Sequence, residues 1–317
     1  MKTIVITLFI LTYVIMLTLP KYRQYAAAAV AVVMVILGVV TPLEAVNAID
    51  WNVIMMLAGT MGTVYLCIES KMPAMVRDML VNKLKSVKLI FVALALFSGF
   101  VSAFIDNVAT VLMVAPIALA IAKKFNVSPV NTVLTVAVSS NLQGAATLVG
   151  DTTSILLAGY AGMDFMDFFV TDGKPGMFWI VQAGAMATIP ILFWIFRNEK
   201  NRIETTEITK VTDFMPTYAL LATVISLVIA SFIPNKPALT NGLICVFFFI
   251  AVLRYEVGKD EPVATGHDAV LAIDFDTLLL LSGLFVIIQA VTNVGLINDI
   301  SNAFVSIAGD NLFKIYT

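Results

Sequence analysis

Leu89–Ala122 reads LIFVALALFSGFVSAFIDNVATVLMVAPIALAIA, thirty-four residues whose only charge is Asp106. On either side of Asp106-Asn107 lie about 15 to 17 apolar residues, roughly 24 Å of helix at 1.5 Å per residue. That is short of the ~30 Å hydrocarbon core. Lysines flank both outer ends, at Lys83, Lys85 and Lys88 before it and at Lys123 and Lys124 after it. The stretch therefore predicts a re-entrant helical hairpin that enters and leaves on one face. Its tip, at Asp106 and Asn107, is expected near mid-membrane. Two short spans with Asp106-Asn107 as an external turn are the plainer alternative. A carboxylate at that depth costs roughly 2.5–3.5 kcal/mol on insertion scales, so it calls for a cation, a proton or a partner.

The surroundings agree with a membrane setting. Sixty per cent of the 317 residues are apolar and 13% are charged, against about 25% charged in soluble domains, and mean hydropathy is +0.97. Further apolar runs cover Thr3–Leu19, Tyr25–Val40, Trp51–Ile68, Val130–Gly159, Met177–Phe196, Tyr218–Ile233, Leu239–Leu253 and Phe275–Val294. The expected fold class is an all-α polytopic membrane protein. With the hairpin counted as entering and leaving on one side, 15 of the 19 Lys and Arg fall on a single side, which puts the N-terminus outside. Lys2, Lys174, Lys236 and Lys314 are the exceptions. A signal-peptide reading of the first twenty residues is the alternative for the first run.

Raw material for enzyme chemistry is scarce. His267 is the single histidine, Cys67 and Cys245 sit inside apolar runs, and no glycine-rich phosphate loop is present. The chain reads as a transporter, not an enzyme. It is expected to need no cofactor beyond Na⁺ or H⁺ as coupling ion, and no nucleic acid partner.

A repeat organises the chain. Ala48-Ile49-Asp50-Trp51 corresponds to Ala272-Ile273-Asp274-Phe275, and at the same offset Leu57 and Gly59 correspond to Leu281 and Gly283. The expected layout is a first repeat over residues 1–196, a cytoplasmic linker over 197–216, and an incomplete second repeat over 217–317. The first repeat holds three spans, an amphipathic helix, the hairpin at about 89–122, a broken helix at about 130–159 and a span at 177–196. The starting faces of the two repeats differ, so the repeat is inverted, as in many secondary transporters. After Leu296–Ala308, which parallels the amphipathic stretch Met72–Leu84, nothing corresponds to Leu89–Phe196. The chain is expected to be C-terminally truncated, to be a short form that dimerises, or to be a non-transporting membrane fragment.

The second polar constellation, Ser139 to Ser154, lies inside a thirty-residue apolar run too long and too polar for one plain helix. A break near Asn141–Ala146 would set a helix C-terminus against a helix N-terminus, the first suited to a cation and the second to an anionic group. Ordinary packing of small and hydroxyl residues is the plainer alternative. Asp50 and Asp274 are expected to cap helices. Asp164, Asp167 and Asp172 are expected to be solvated in an external loop.

At these residues the sequence resembles the ion transporter superfamily, in the group of arsenite permeases, NhaD-type sodium/proton antiporters and the P protein. Divalent-anion/sodium symporters and citrate carriers are its more distant relatives. Ser102–Lys124, SAFIDNVATVLMVAPIALAIAKK, is similar to the group's hairpin signature, and Asn141–Gly159, NLQGAATLVGDTTSILLAG, to its broken-helix signature. The resemblance implies a scaffold, a mobile transport domain with elevator-like movement, and a homodimer in the plasma membrane. It implies a site for a small inorganic or organic ion at Ser102, Asp106, Asn107, Thr110, Asn141, Gly144, Thr147 and Asp151, with Asp106 and Asn107 the expected Na⁺ ligands. Many members carry two prolines and an asparagine after the Gly-Asp pair, where this chain has Thr152-Thr153-Ser154, so substrate identity is not carried over. Cation-coupled anion or carboxylate transport is the leading expectation, with sodium/proton antiport the runner-up.

Overall fold

The computed structural model describes residues 1–84, 86–105, 107–125, 127–199, 208–233, 235–259, 262–297 and 299. The described chain is predominantly helical. In order the helices are α1 (Lys2–Thr18), α2 (Arg23–Ile36), α3 (Pro42–Ala48), α4 (Trp51–Glu69), α5 (Met72–Lys83), α6 (Val87–Ser102) and α7 (Asn107–Lys124). There follow α8 (Pro129–Gly144), α9 (Thr152–Ala161), α10 (Met177–Ile195), α11 (Met215–Ser231), α12 (Thr240–Val257), α13 (Gly266–Leu271) and α14 (Phe275–Asn293). Among the described residues α4, α10, α12 and the stretch Gly266–Asn293 are long and apolar enough to cross a membrane, while α1, α6 and α11 are apolar but shorter. This is an all-α polytopic membrane protein. Of the expected amphipathic stretch Leu296–Ala308, all but Leu296, Ile297 and Asp299 lies outside the described residues.

Two compact units divide the chain. One holds Met1–Ile54 together with Asp274 onward. In its core Val5 of α1 and Ala27, Val30 and Met34 of α2 pack on Val286, Ile287, Ala290 and Val291 of α14. Gly283 permits the close approach: a methyl group there would stand 2.8 Å from the Ala27 carbonyl carbon. Local chemistry fixes the entry to the membrane helices. Thr41 caps α3 in a reciprocal box with Glu44, and the Asp50 carboxylate accepts from Val53 N at 3.1 Å at the start of α4.

The other unit, Met55–Ile273, contains the hairpin and the broken helix. Exposed Trp179 and Trp194 lie near opposite ends of α10, as amphipathic rings do at the two interfaces of a full span. Beside α10, Val87, Phe91, Ala122 and Val127 share a core with Leu192 and Phe196. Both hairpin arms therefore open at the Arg197 end of α10. At the turn, Ala103 packs with Ala146 and Val181, joined by Phe104, Met177 and Phe178. The arms α6 and α7 run 16 and 18 residues beside the 19 of α10. Ser102, Ala103 and Ile105 at the turn are buried.

Contacts between distant segments keep the same company as the charge pattern. At one end, Asp78 accepts from Thr209 N at 2.9 Å and from its hydroxyl, Thr212 N reaches Ser70 O at 3.1 Å, and Lys259 pairs with Asp213 and Glu256. At the other, Asp164 pairs with Lys236. Solvation is thus not the role of two of the three loop acids. Asp164 holds Lys236 and accepts from Asn241 at 3.3 Å, while Asp167 accepts from Asp164 N at 2.6 Å. Asp172 instead takes the left-handed conformation with Gly173, φ 52° and 75°, in the two-residue turn between β1 (Val170–Thr171) and β2 (Lys174–Pro175).

Candidate ion site at the hairpin tip and helix break

The first helix of the broken pair runs further than its polarity suggests. Asn141 sits in the last turn of α8, where its amide donates to Ala137 O at 3.2 Å, and the helix stops only at Gly144. The break spans 145–151, and α9 restarts with Asp151 as its extended N-cap residue. A break expected around Asn141–Ala146 is therefore displaced toward the C-terminus, because a side-chain amide can bond its own helix and only glycine frees the chain.

Hydroxyls and amides tie the break to the hairpin. Asn107 Nδ2 donates to Asn141 Oδ1 at 2.7 Å, Ser140 Oγ to Asn107 O at 3.1 Å, and Thr147 Oγ1 to Ala103 O. Further down the arm, Ser98 Oγ donates to Val136 O at 3.2 Å. The closest approach is at Gly150, where a methyl group would stand 2.5 Å from Gly144 O, 2.7 Å from Ser102 O and 2.8 Å from Ala103 O. Carbonyls from the C-terminal ends of α6 and α8 thus crowd one glycine. Around Gly144, a methyl group would lie 3.3 Å from Asp151 Cβ and 3.5 Å from Ser102 Oγ.

Of the expected site residues, the structure brings Ser102, Gly144, Thr147 and Asp151 to the break and joins Asn107 to Asn141. Thr110 lies one turn into α7. Asp106 lies outside the described residues. Ser102 and Thr110 are fully buried, and their hydroxyl oxygens have no hydrogen-bond partner among the described residues. Buried hydroxyls are nearly always satisfied, so these two fit a group that donates to or coordinates with them, and a small cation does so. Asp151 accepts from Thr153 Oγ1 at 2.6 Å and lines a small cavity of about 20 Å³ with Leu57, Thr60, Met61 and Val64 of α4.

Residue chemistry passes over Gly150, Ser140 and Thr60. Gly150 carries no ligand and matters through the space it leaves. Ser140 acts through a backbone carbonyl 33 positions away. Thr60 belongs to a helix that reads as plain apolar span.

Comparison with known proteins gives a consistent account. The citrate transporter family, CitMHS, matches residues 8–315. An uncharacterized transporter of Mycobacterium tuberculosis (strain ATCC 25618 / H37Rv) is 27% identical over 320 residues, 98% of this chain and 73% of the relative. The putative transporter arsB of Dictyostelium discoideum is 25% identical over 183 residues, 58% of this chain and 32% of its own. The P protein of Mus musculus is 27% identical over 112 residues, 34% of this chain and 13% of its own.

Proposed function

This chain belongs to the citrate transporter (CitMHS) family, and on that premise we propose that it carries a small anion or carboxylate across the membrane coupled to Na⁺ or H⁺. One observation carries the reading: two helix C-termini converge on Gly150, next to Gly144 and the unsatisfied Ser102 hydroxyl. Each C-terminus carries roughly half an elementary negative charge, so the pair offers about one, matched to a monovalent cation. The N-termini of α7 and α9 begin at the same turn and break, with the opposite partial charge, and suit the carboxylate of a substrate. Cation and anion then neutralise one another, which lowers the cost of carrying either through a low-dielectric region. Ser102, Asn107, Thr110, Asn141, Gly144, Thr147 and Asp151 form the wall of this site in our reading, and Asp106 is the coupling carboxylate.

Alternating access follows if the hairpin, the broken helix and α10 move as one body. The packing of α6, α7 and α8 on each other and on α10 supports that grouping. We place the protein in the plasma membrane with its N-terminus outside, as a homodimer of inverted repeats; the sorting of 15 of 19 cations supports the orientation.

Sodium/proton antiport is the second reading, favoured by the Asp151 carboxylate on the cavity wall. Purified protein in proteoliposomes separates the two. Citrate uptake driven by an imposed Na⁺ or H⁺ gradient, and lost in Asp106→Asn, is the result expected. A Na⁺-induced internal pH change with no anion present would establish antiport. Neither flux under any gradient would sink the transport reading for this chain.

A further inference from the structure

At the open base of the hairpin, three cations each follow a residue of one small core. Val87, Ala122 and Phe196 pack together, and Lys88, Lys123 and Arg197 are their next neighbours in sequence. The side chains of two are held over rings. Lys88 Nζ lies 4.9 Å from the Phe193 ring centroid, and the Arg197 guanidinium lies 5.1 Å from that of Trp194. Phe196 is in turn stacked on Phe91 at 5.0 Å. Lys83, exposed at the end of α5, precedes Leu84, which packs on the neighbouring core of the same arms.

Depth is set by Trp194. It is 64% exposed near the end of a membrane-spanning helix, where indole rings sit at headgroup level, and Arg197 lies about one turn beyond it. Charge is left over at that level. Elsewhere Lys2, Lys236 and Lys259 each pair with an aspartate. Among the described residues Lys83, Lys88, Lys123 and Arg197 pair with no acid, Glu199 included. Topogenic positive charge would account for cations scattered over a face. It does not account for three of them gathered on one core, two preset by aromatic rings.

We propose that Lys88, Lys123 and Arg197 form a binding site for the phosphate of an anionic phospholipid headgroup, with Lys83 at its rim. The lipid would clasp the two arms of the hairpin and the end of α10 together at the point where they meet the interface. Its acyl chains would run along the exposed face of α10. This assignment is independent of which ion the tip carries.

The test uses the whole protein in detergent micelles doped with phosphatidylglycerol or phosphatidylcholine, read by native mass spectrometry for retained lipid and by thermal melting. Retention of phosphatidylglycerol over phosphatidylcholine is expected. It should fall about tenfold in Lys88→Gln/Lys123→Gln/Arg197→Gln, and survive in the charge-keeping Lys88→Arg/Lys123→Arg/Arg197→Lys. Lys21→Gln/Arg23→Gln, which removes cations from the α1–α2 turn, should change nothing. Equal loss from both neutralised variants would show general surface attraction and overturn the site. So would equal retention of the two lipids by the unaltered protein. Displacement of the lipid by millimolar inorganic phosphate or citrate would reassign the cluster to free anions.

Discussion

Replacing Gly150 by alanine tests whether the hairpin tip and the helix break are one packed unit. The added methyl would meet Gly144 O, Ser102 O and Ala103 O at 2.5, 2.7 and 2.8 Å. Ordinary contact begins near 3.4 Å, so the three oxygens must retreat by roughly 0.9, 0.7 and 0.6 Å. All three are backbone atoms at the ends of two helices, and none can swing aside as a side-chain terminus would. Overpacking of a close-packed interior costs about 1–3 kcal/mol, and this geometry points to the upper end. The control is Gly184→Ala on α10, where the new methyl would find only Leu142 Cδ atoms at 3.5 and 3.8 Å. Thermal melting of the purified protein, with NaCl against choline chloride, reads both effects. Gly150→Ala should melt well below the parent and lose any Na⁺-dependent shift, whereas Gly184→Ala should keep both. If the two variants behave alike, the carbonyl cradle described at Gly150 is not there.

Three further outcomes follow from other contacts. Ser102→Ala with Thr110→Val removes two buried hydroxyls that lack partners, each a burden of about 1–3 kcal/mol. The ion-free protein should melt no lower while its stabilisation by Na⁺ disappears, and a Na⁺ shift that survives would clear both residues of coordination. For Asp164 and Lys236, mostly buried as a pair, a double-mutant cycle with Asp164→Asn and Lys236→Met should give a coupling of about 1 kcal/mol, and additive losses would mean the pair is idle. Burial opposes the charge on Asp213, but the Lys259 hydrogen bond and the Met215 N–H outweigh it and bring its carboxyl below the ordinary value. Burial likewise opposes the charge on Lys259, and the bonds to Asp213 and Glu256 lift it above its ordinary value. A carboxyl depressed by folding stabilises fully above its unfolded range and loses that as pH falls through the folded value; a raised lysine does the reverse. The melting difference between parent and Asp213→Asn should therefore be flat from about pH 5 to pH 9 and shrink below about pH 4 and above about pH 10.5. A difference that changes across neutrality would contradict the assignment.

Charge and length made the hairpin legible, because one carboxylate among thirty-four residues with lysines at both ends admits few arrangements. The break was legible as an event but not in place. Polarity at Asn141 marks where side chains want partners, while the backbone stops at Gly144, which offers no Cβ to hold it helical. Gly150 could not be found by residue type, since its contribution is the volume it does not fill. Asp164 reads as a loop acid because Lys236 is 72 positions away, and Asp78 gives no sign in sequence of the Thr209 that it anchors 131 positions on.

The proposed repeat is matched by local structure as well as by residues. Thr41 and Thr265, 224 positions apart like Asp50 and Asp274, each accept at a helix start, from Glu44 N and Asp268 N. Asp50 and Asp274 then do so from Val53 N and Thr277 N. Between each threonine and its aspartate lies the same short helix, α3 in one case and α13 in the other. Gly59 and Gly283 share that offset, and each is the point where a long helix touches backbone. A methyl on Gly59 would lie 2.6 Å from Cys245 O of α12, and one on Gly283 would lie 3.0 Å from Ala27 O of α2. In the repeat, α4 corresponds to α14 and α2 to α12. The third long helix of each segment is thus fitted by its glycine to the second helix of the other, once within each compact unit. A duplicated segment folding without reference to its copy would have no reason to exchange partners in that way, and we propose that the exchange marks the two segments as copies of one unit.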